Sequence, residues 1–234
     1  MPSIKDNIAA TTDPAAANDL TEGYGIGSEW YNTQTGQMWK ALSVASGAAQ
    51  WMRLAPGPAW PPGTYRPPNY IYAVNDGQVA ANKLTMMPLL IHRRVTVDRI
   101  ALWLVTGQAG AEMRLGLYRT DGFTDAPGTL FAEAGTVDLS GGASLKTITM
   151  SWSLVPGQYW LAALNKSAGT LPTVRRAGGA VLGHVLGTDG NEIAGANAWR
   201  YLEAAQTYGS LPANAPAMTP STGSDGAVLM LRRS

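Results

Sequence analysis

The chain has 234 residues, 17 of them basic and 16 acidic, for a net charge of +1, and it has no cysteine. That excludes disulfides, thiol nucleophiles and cysteine-based zinc sites, and so even a charge balance supplies no basic field for a nucleic-acid backbone. With 27 glycines, 15 prolines and only 14% charged residues, and with Val, Ile, Thr, Tyr and Trp in short runs, the composition is that of many strands joined by tight turns.

The N-terminal stretch MPSIKDNIAATTDPAAANDL lacks the apolar core of a signal peptide, and no run approaches the length of a membrane helix. The expectation is a protein made in a cytoplasm without membrane insertion. Residues 1–20, rich in Ala, Thr, Asn and Asp, read as an arm that needs a partner to become ordered, with a short helix allowed at Pro14 to Asp19. Residues 21–55 form a Trp-bearing module. Within it Ser28 to Asn32 and Gln37 to Leu42 read as strands around Thr33-Gln34-Thr35-Gly36, a four-residue hairpin loop with glycine where a positive φ is expected.

Three indoles, Trp30, Trp39 and Trp51, fall in about twenty residues, with Tyr24 just before them. A lone hairpin is marginal in water, and so few residues do not supply an interior for three indoles. The expectation is that Tyr24, Trp30, Trp39 and Trp51 are buried against copies of the same chain or a docking protein, which makes this an anchoring module. Residues 56–68, with six prolines, read as a stiff spacer excluded from sheet interiors.

Residues 69–234 carry regular alternation. Ile100, Leu102 and Leu104 share one strand face, with Arg99, Ala101 and Trp103 on the other. Met113, Leu115 and Leu117 likewise oppose Arg114, Gly116 and Tyr118, and Ile148, Met150, Trp152 and Leu154 oppose threonines and serines. Further strands are expected at 71–74, 84–91, 129–138, 158–164 and 226–232. Turns are expected at Asn75-Asp76-Gly77, Asp121-Gly122, Ala126-Pro127-Gly128, Ser140-Gly141-Gly142 and Pro156-Gly157. The fold class is therefore all-β: a small N-terminal β-hairpin module plus a jelly-roll-like antiparallel β-sandwich, with a closed barrel as the alternative. Residues 165–224 break the rhythm and read as long loops with a short helix around Ala198 to Ala205.

Two strings carry a resemblance. Gly23-Tyr24, Gly27-Ser28, Trp30, Asn32, Thr35, Gly47-Ala48-Ala49 and Trp51 resemble the short GY..GS.W.N..T......GAA.W repeat of tail-fibre and other appendage proteins of tailed bacteriophages. The middle strand of that repeat commonly reads Tyr-x-Cys, where this chain has Met38-Trp39-Lys40-Ala41. The strings DRI, RLGLY, PGTL and PGQYWLA between residues 98 and 162 are similar to β-sandwich domains of phage fibre and receptor-binding proteins. The resemblance implies a virion location, a homotrimer, contacts with other tail, baseplate or capsid proteins, and recognition of a host-surface glycan or protein.

Sites of chemistry are sparse. Gly23, Gly25 and Gly27 lack the preceding strand and following helix of a dinucleotide loop, and GGASLKT lacks the junction of a P-loop. His92 and His184 have no second ligand at metal spacing. The carboxylate pairs Asp121 with Asp125, Glu133 with Asp138, and Asp189 with Glu192 sit mostly beside turn residues, where an Asp closes a turn. Calcium at DGFTD or TDGNE is the weaker reading there, because the spacing is not that of an EF-hand. No cofactor, metal or catalytic residue is expected. Trp103 and Tyr118 share faces with arginines, which suits a sheet surface or subunit contact. Trp199, Tyr201 and Tyr208, with Asn191, Asn197 and Arg200 nearby, are the candidates to stack on and hydrogen-bond a sugar, or else to plug a sandwich end. The expected function is a non-enzymatic phage appendage, anchored by residues 1–55 and binding a host component through a trimeric sandwich. The alternatives are a head-fibre, decoration or minor tail protein making only protein contacts, and third a polysaccharide-cleaving enzyme.

Overall fold

The computed structural model describes residues 4–54, 60–68, 71–122, 124–166, 169–180, 200–223 and 226–234. Strands dominate these residues, and the helical content among them is one 3-10 turn, Leu20–Glu22. The chain divides into two compact units, the first Met1–Ala59 with Ile91–Val95 and Ser153–Gly157, the second Trp60–Leu90, Thr96–Trp152 and Gln158–Ser234.

The first unit is built on one four-stranded sheet in chain order: β1 (Asn7–Ala10), β2 (Glu29–Asn32), β3 (Gln37–Ser43) and β4 (Gln50–Leu54). The β2–β3 hairpin has the expected loop, with Gly36 at φ 69°. Two features differ from expectation. Residues 7–10, read as part of an arm awaiting a partner, form β1, which pairs in parallel with β2 in the same chain. Pro14 to Asp19 form turns and bends rather than a helix. The arm is ordered because its polar groups have work inside the unit: Ala49 N–H donates to the Ala16 carbonyl (3.0 Å), and Leu20 N–H to that of Val44 (3.1 Å).

The second unit is an antiparallel sandwich. One sheet runs β10 (Pro127–Asp138), β9 (Glu112–Thr120), β12 (Gly157–Asn165), β7 (Lys83–Ile91), β14 (Tyr201–Ala205), β15 (Thr219–Ser221). The other runs β5 (Tyr65–Arg66), β16 (Leu229–Arg233), β8 (Val95–Thr106), β13 (Thr173–Ala180), β6 (Ile71–Gln78), with β11 (Ser144–Leu154) also paired to β8. The inward alternation read from sequence holds: Ile100, Leu102, Leu104, Met113, Leu115 and Leu117 are all buried. A cluster of Met87, Tyr201, Ala177 and Val228 joins the two sheets.

Four expectations are corrected here. Tyr201–Ala205, expected in a helix, is β14, paired on both sides with β7 and β15. Asn75-Asp76-Gly77, expected as a turn, lies within β6 in register with Arg176, Arg175 and Val174. Residues 60–68, expected as spacer, belong to the second unit: Trp60 is buried, Arg66 lies 4.7 Å over its ring, and Tyr65–Arg66 add an edge strand to β16. The prolines still keep that strand at a sheet edge, as a missing N–H requires. Residues 56–59 lie outside the described residues.

The fourth concerns Tyr118, expected at a sheet surface. It is fully buried, because the outer face of the first sheet is covered by residues 206–218. Tyr118, Trp160, Leu84, Met86, Ala162, Leu164 and Leu202 pack there under Leu211, Tyr208, Ala215 and Met218. The strap is hydrogen-bonded along its length: Leu130 N–H to Ala213 O (2.9 Å), Ala215 N–H to Gly128 O (2.8 Å), and the Tyr118 hydroxyl to Pro212 O (2.8 Å).

Candidate docking face

The four-stranded sheet of the first unit has two apolar faces. On one, Tyr24, Trp30 and Trp51 form a triangle of rings with centroids 5.4 to 5.7 Å apart, two of the three contacts edge-to-face. Tyr24 and Trp30 are buried with Ala10, while Trp39, Val44 and Trp51 pack partly buried against them. The arm closes this face. Trp30 Nε1–H donates to Thr12 O (2.8 Å), Trp51 Nε1–H donates to Asn18 O (3.1 Å), and Lys5 Nζ stands 4.4 Å over the Tyr24 ring.

The motif residues are the internal bonds of this arrangement. Gly23, Gly27 and Gly47 take left-handed φ of 91°, 91° and 67°. The buried Ser28 hydroxyl donates to Lys5 O (2.7 Å), and the buried Asn32 amide donates to Asp13 (2.7 Å) while its oxygen accepts from Gln34 N–H (2.9 Å). Asp19, also buried, caps the 3-10 turn through Thr21 N–H (2.8 Å) and Thr21 Oγ1–H (2.7 Å), and its other oxygen accepts from Gly47 N–H (2.5 Å). These bonds, that from the Thr21 hydroxyl first, hold the Asp19 carboxyl below the usual carboxylate range. The expectation that Trp30 needs another polypeptide is therefore overturned. Tyr24 and Trp30 find their dry surroundings in their own chain, where the supposed arm supplies acceptors to Trp30 and Trp51.

The opposite face is bare. Tyr31, Met38, Leu42 and Met52 are 37%, 44%, 52% and 44% exposed, and Ile8 on β1 is 70% exposed. Register sets them side by side: Tyr31 faces Met38, which faces Leu54, while Glu29 faces Lys40, which faces Met52. Contiguous apolar patches beyond a few hundred Å² are rare on monomeric proteins and mark contact surfaces. One charged pair, Glu29 with Lys40 at 3.9 Å, lies in the patch. The tryptophans lie on the closed face, and the exposed apolar side chains of Tyr31, Met38 and Leu42 lie between them in sequence. The signal that finds them is the second alternation of the same strands, Tyr31 between Trp30 and Asn32, and Met38, Lys40 and Leu42 between Gln37, Trp39 and Ala41.

The sugar-stacking set is not assembled in the described residues. Tyr201 is fully buried between the sandwich sheets. Tyr208 is half-buried within the strap, its ring 5.7 Å from the Arg114 guanidinium and 5.9 Å from Lys166 Nζ, and its hydroxyl donates to Glu112 (3.3 Å). Both are structural. Arg200 is half-buried and its N–H donates to Ser221 O (2.8 Å). Asn191, Asn197, Trp199 and His184, with Asp189 and Glu192, lie outside the described residues. Trp103 is 40% exposed on its sheet surface.

Three of the described carboxylates in the candidate pairs are committed elsewhere. Glu133 pairs with Arg114 and accepts from Leu211 N–H (3.1 Å), and Asp138 caps the Ser140 turn, which lowers its pKa. Asp121 accepts from the Thr124 hydroxyl (3.0 Å). Among the described residues no three His, Asp or Glu side chains gather to hold a metal. An apolar depression of about 400 Å³ beside β14, walled by Pro127, Leu202, Ala215, Pro216, Met218 and Pro220, is lined by no charged side chain that would orient a polar ligand. No family model matches the chain, nor does any curated protein or solved structure.

Proposed function

We propose that this chain is a component of a tailed-bacteriophage virion appendage that works by assembly and binding rather than by bond-breaking chemistry. The observation that carries the reading is the bare apolar sheet face of Ile8, Tyr31, Met38, Leu42 and Met52 on a unit whose interior is already complete. The unit that carries it is the one whose sequence resembles virion-proximal fibre modules. Tyr201 is fully buried, which takes one side chain out of the set meant to touch a host glycan and supports the version in which the protein makes protein contacts, as a head-fibre, decoration or minor tail component.

The occupant of the face is a second copy of this chain. Glu29 and Lys40 adjoin there with opposite signs, so a rotated copy can set its Lys40 on the first copy's Glu29 while the apolar side chains meet. Sedimentation equilibrium on the full chain should give a multiple of the chain mass, two or three deciding the symmetry, and Met38→Glu or Met52→Glu should return monomers. A wild-type chain that stays monomeric at micromolar concentration overturns the self-contact. The virion reading has a separate test: antibodies against the chain should label appendages on purified particles, and particles free of it end that reading.

A further inference from the structure

The alternation of β8 breaks once. Val95 and Val97 are buried, and so are Ile100, Leu102 and Leu104, so one step between inward positions is three residues rather than two. The register with β16 gives the cause. Arg232 faces Arg99 and Arg233 faces Val97, which leaves Asp98 without a partner, as a bulge. A bulge re-aims side chains, and this one brings Asp98 and Arg99 together onto the face away from Ile100. There Arg232 lies directly opposite Arg99, and Tyr65 of β5 directly opposite Arg232. Two guanidinium groups and a phenol thus form one row across three strands about 5 Å apart.

The charges in that row do not balance. Arg232 donates through Nε (2.9 Å) and Nη2 to the two oxygens of Asp98, a fork that holds the Asp98 carboxyl below its ordinary range. The Asp98 carboxylate is thereby taken. Arg99 feels Asp98 through space, and its Nε is buried with no hydrogen-bond partner. Like charges directly opposite in a sheet destabilise it, and a buried donor without an acceptor adds a further cost. Both costs vanish if an anion lies between the arginines.

We propose that the Arg99, Arg232 and Tyr65 row binds a tetrahedral oxyanion, phosphate or sulfate, either free or as an ester on a larger ligand. Arg99 supplies the uncommitted fork, Arg232 held by Asp98 the second positive charge, and the Tyr65 hydroxyl a neutral donor. The proposal stands on the second unit alone and is independent of the appendage reading.

Calorimetric titration of the full chain with inorganic phosphate and with sulfate, in an amine buffer at low chloride, tests it. Saturable binding should weaken at least tenfold in Arg99→Gln, the loss expected for a charge-assisted pair. Tyr65→Phe should weaken it less. Arg175→Gln removes the same charge from an exposed pair with Asp76 and should leave binding unchanged. A sulfated sugar against its unsulfated parent separates the two sources: binding of the sulfated form tighter than free sulfate identifies an ester ligand, and equal affinity identifies the free ion. Absence of saturable binding in folded wild type, or equal losses in Arg99→Gln and Arg175→Gln, overturns the site.

Discussion

The two units solve the same problem in opposite ways. The sandwich covers both faces of its β10–β9–β12–β7–β14–β15 sheet, one with the facing sheet and the other with the strap 206–218, so even Tyr118 and Trp160 are fully buried. The N-terminal unit covers one face of its sheet with its own arm and leaves the other carrying five exposed apolar side chains. Size explains part of the difference, since a short chain has few residues to spend on cover. It does not explain why the bare face is apolar, because serine or lysine at Met38, Leu42 and Met52 would satisfy the strand as well. That choice is the ground for the proposed self-contact.

The largest effect that would break the comparison comes from the closed interior of the small unit. Trp30→Ala should cost about 3–5 kcal/mol, as for a large aromatic removed from a packed core, and so unfold the first unit while the sandwich persists. Limited proteolysis would show cleavage confined to the first unit. A variant that keeps this unit folded would mean that the ring triangle is not its core. Next in size, Leu211→Ala in the strap should cost about 2–3 kcal/mol, since Leu211 is buried against the Tyr118 and Trp160 cluster. A loss under about 0.5 kcal/mol in chemical denaturation, the range of surface changes, would mean that the strap is decoration rather than cover. Met38→Glu, by contrast, should change unfolding by no more than about 0.5 kcal/mol in a dissociated sample, the range of surface changes, because its side chain is 44% exposed.

Much of the sandwich was legible because its strands alternate cleanly: β8 and β9 each announce one buried face in residues such as Ile100 and Leu115, and β11 alternates between half-buried residues such as Ile148 and exposed ones. The strap was not legible. Leu211, Ala215 and Met218 lie among prolines, and nothing periodic says that they cover Trp160 from nearly sixty residues away in sequence. β14 was misread because Tyr-Leu-Glu-Ala-Ala has good helix formers, and pairing on both sides by β7 and β15 overrides that preference. The arm was misjudged for a related reason. Thr12, Asn18 and Asp19 look like solvated polar residues, yet their oxygens are the acceptors that indole and glycine N–H groups require. The bulge at Asp98 was in plain view as a skipped step between Val97 and Ile100.

The smallest expected effect sharpens the comparison through pH. Asp19 ties the 3-10 turn to Gly47, and three hydrogen bonds to its carboxylate lower its pKa, those from Thr21 and Gly47 opposing the cost of burial. A carboxyl whose folded pKa lies below its unfolded value, about 3.9 for Asp, stabilises the fold fully above that value and stops doing so as pH falls through the lower folded one. The contribution of Asp19 to the first unit should therefore be lost between about pH 4 and the more acidic folded value, and it stays constant on raising pH from 5 to 8. Asp19→Asn cannot ionise and should lower the melting temperature of this unit at pH 7 while flattening its acid dependence, read from near-UV circular dichroism of the Tyr24, Trp30 and Trp51 rings. The sandwich has its own lowered carboxyls at Asp98 and Asp138, neither of which spans its core, so Asp19→Asn should leave its acid transition in place. If both units lose the same acid sensitivity in this variant, they do not unfold separately, and the contrast between a self-closed small unit and a strapped sandwich fails with it.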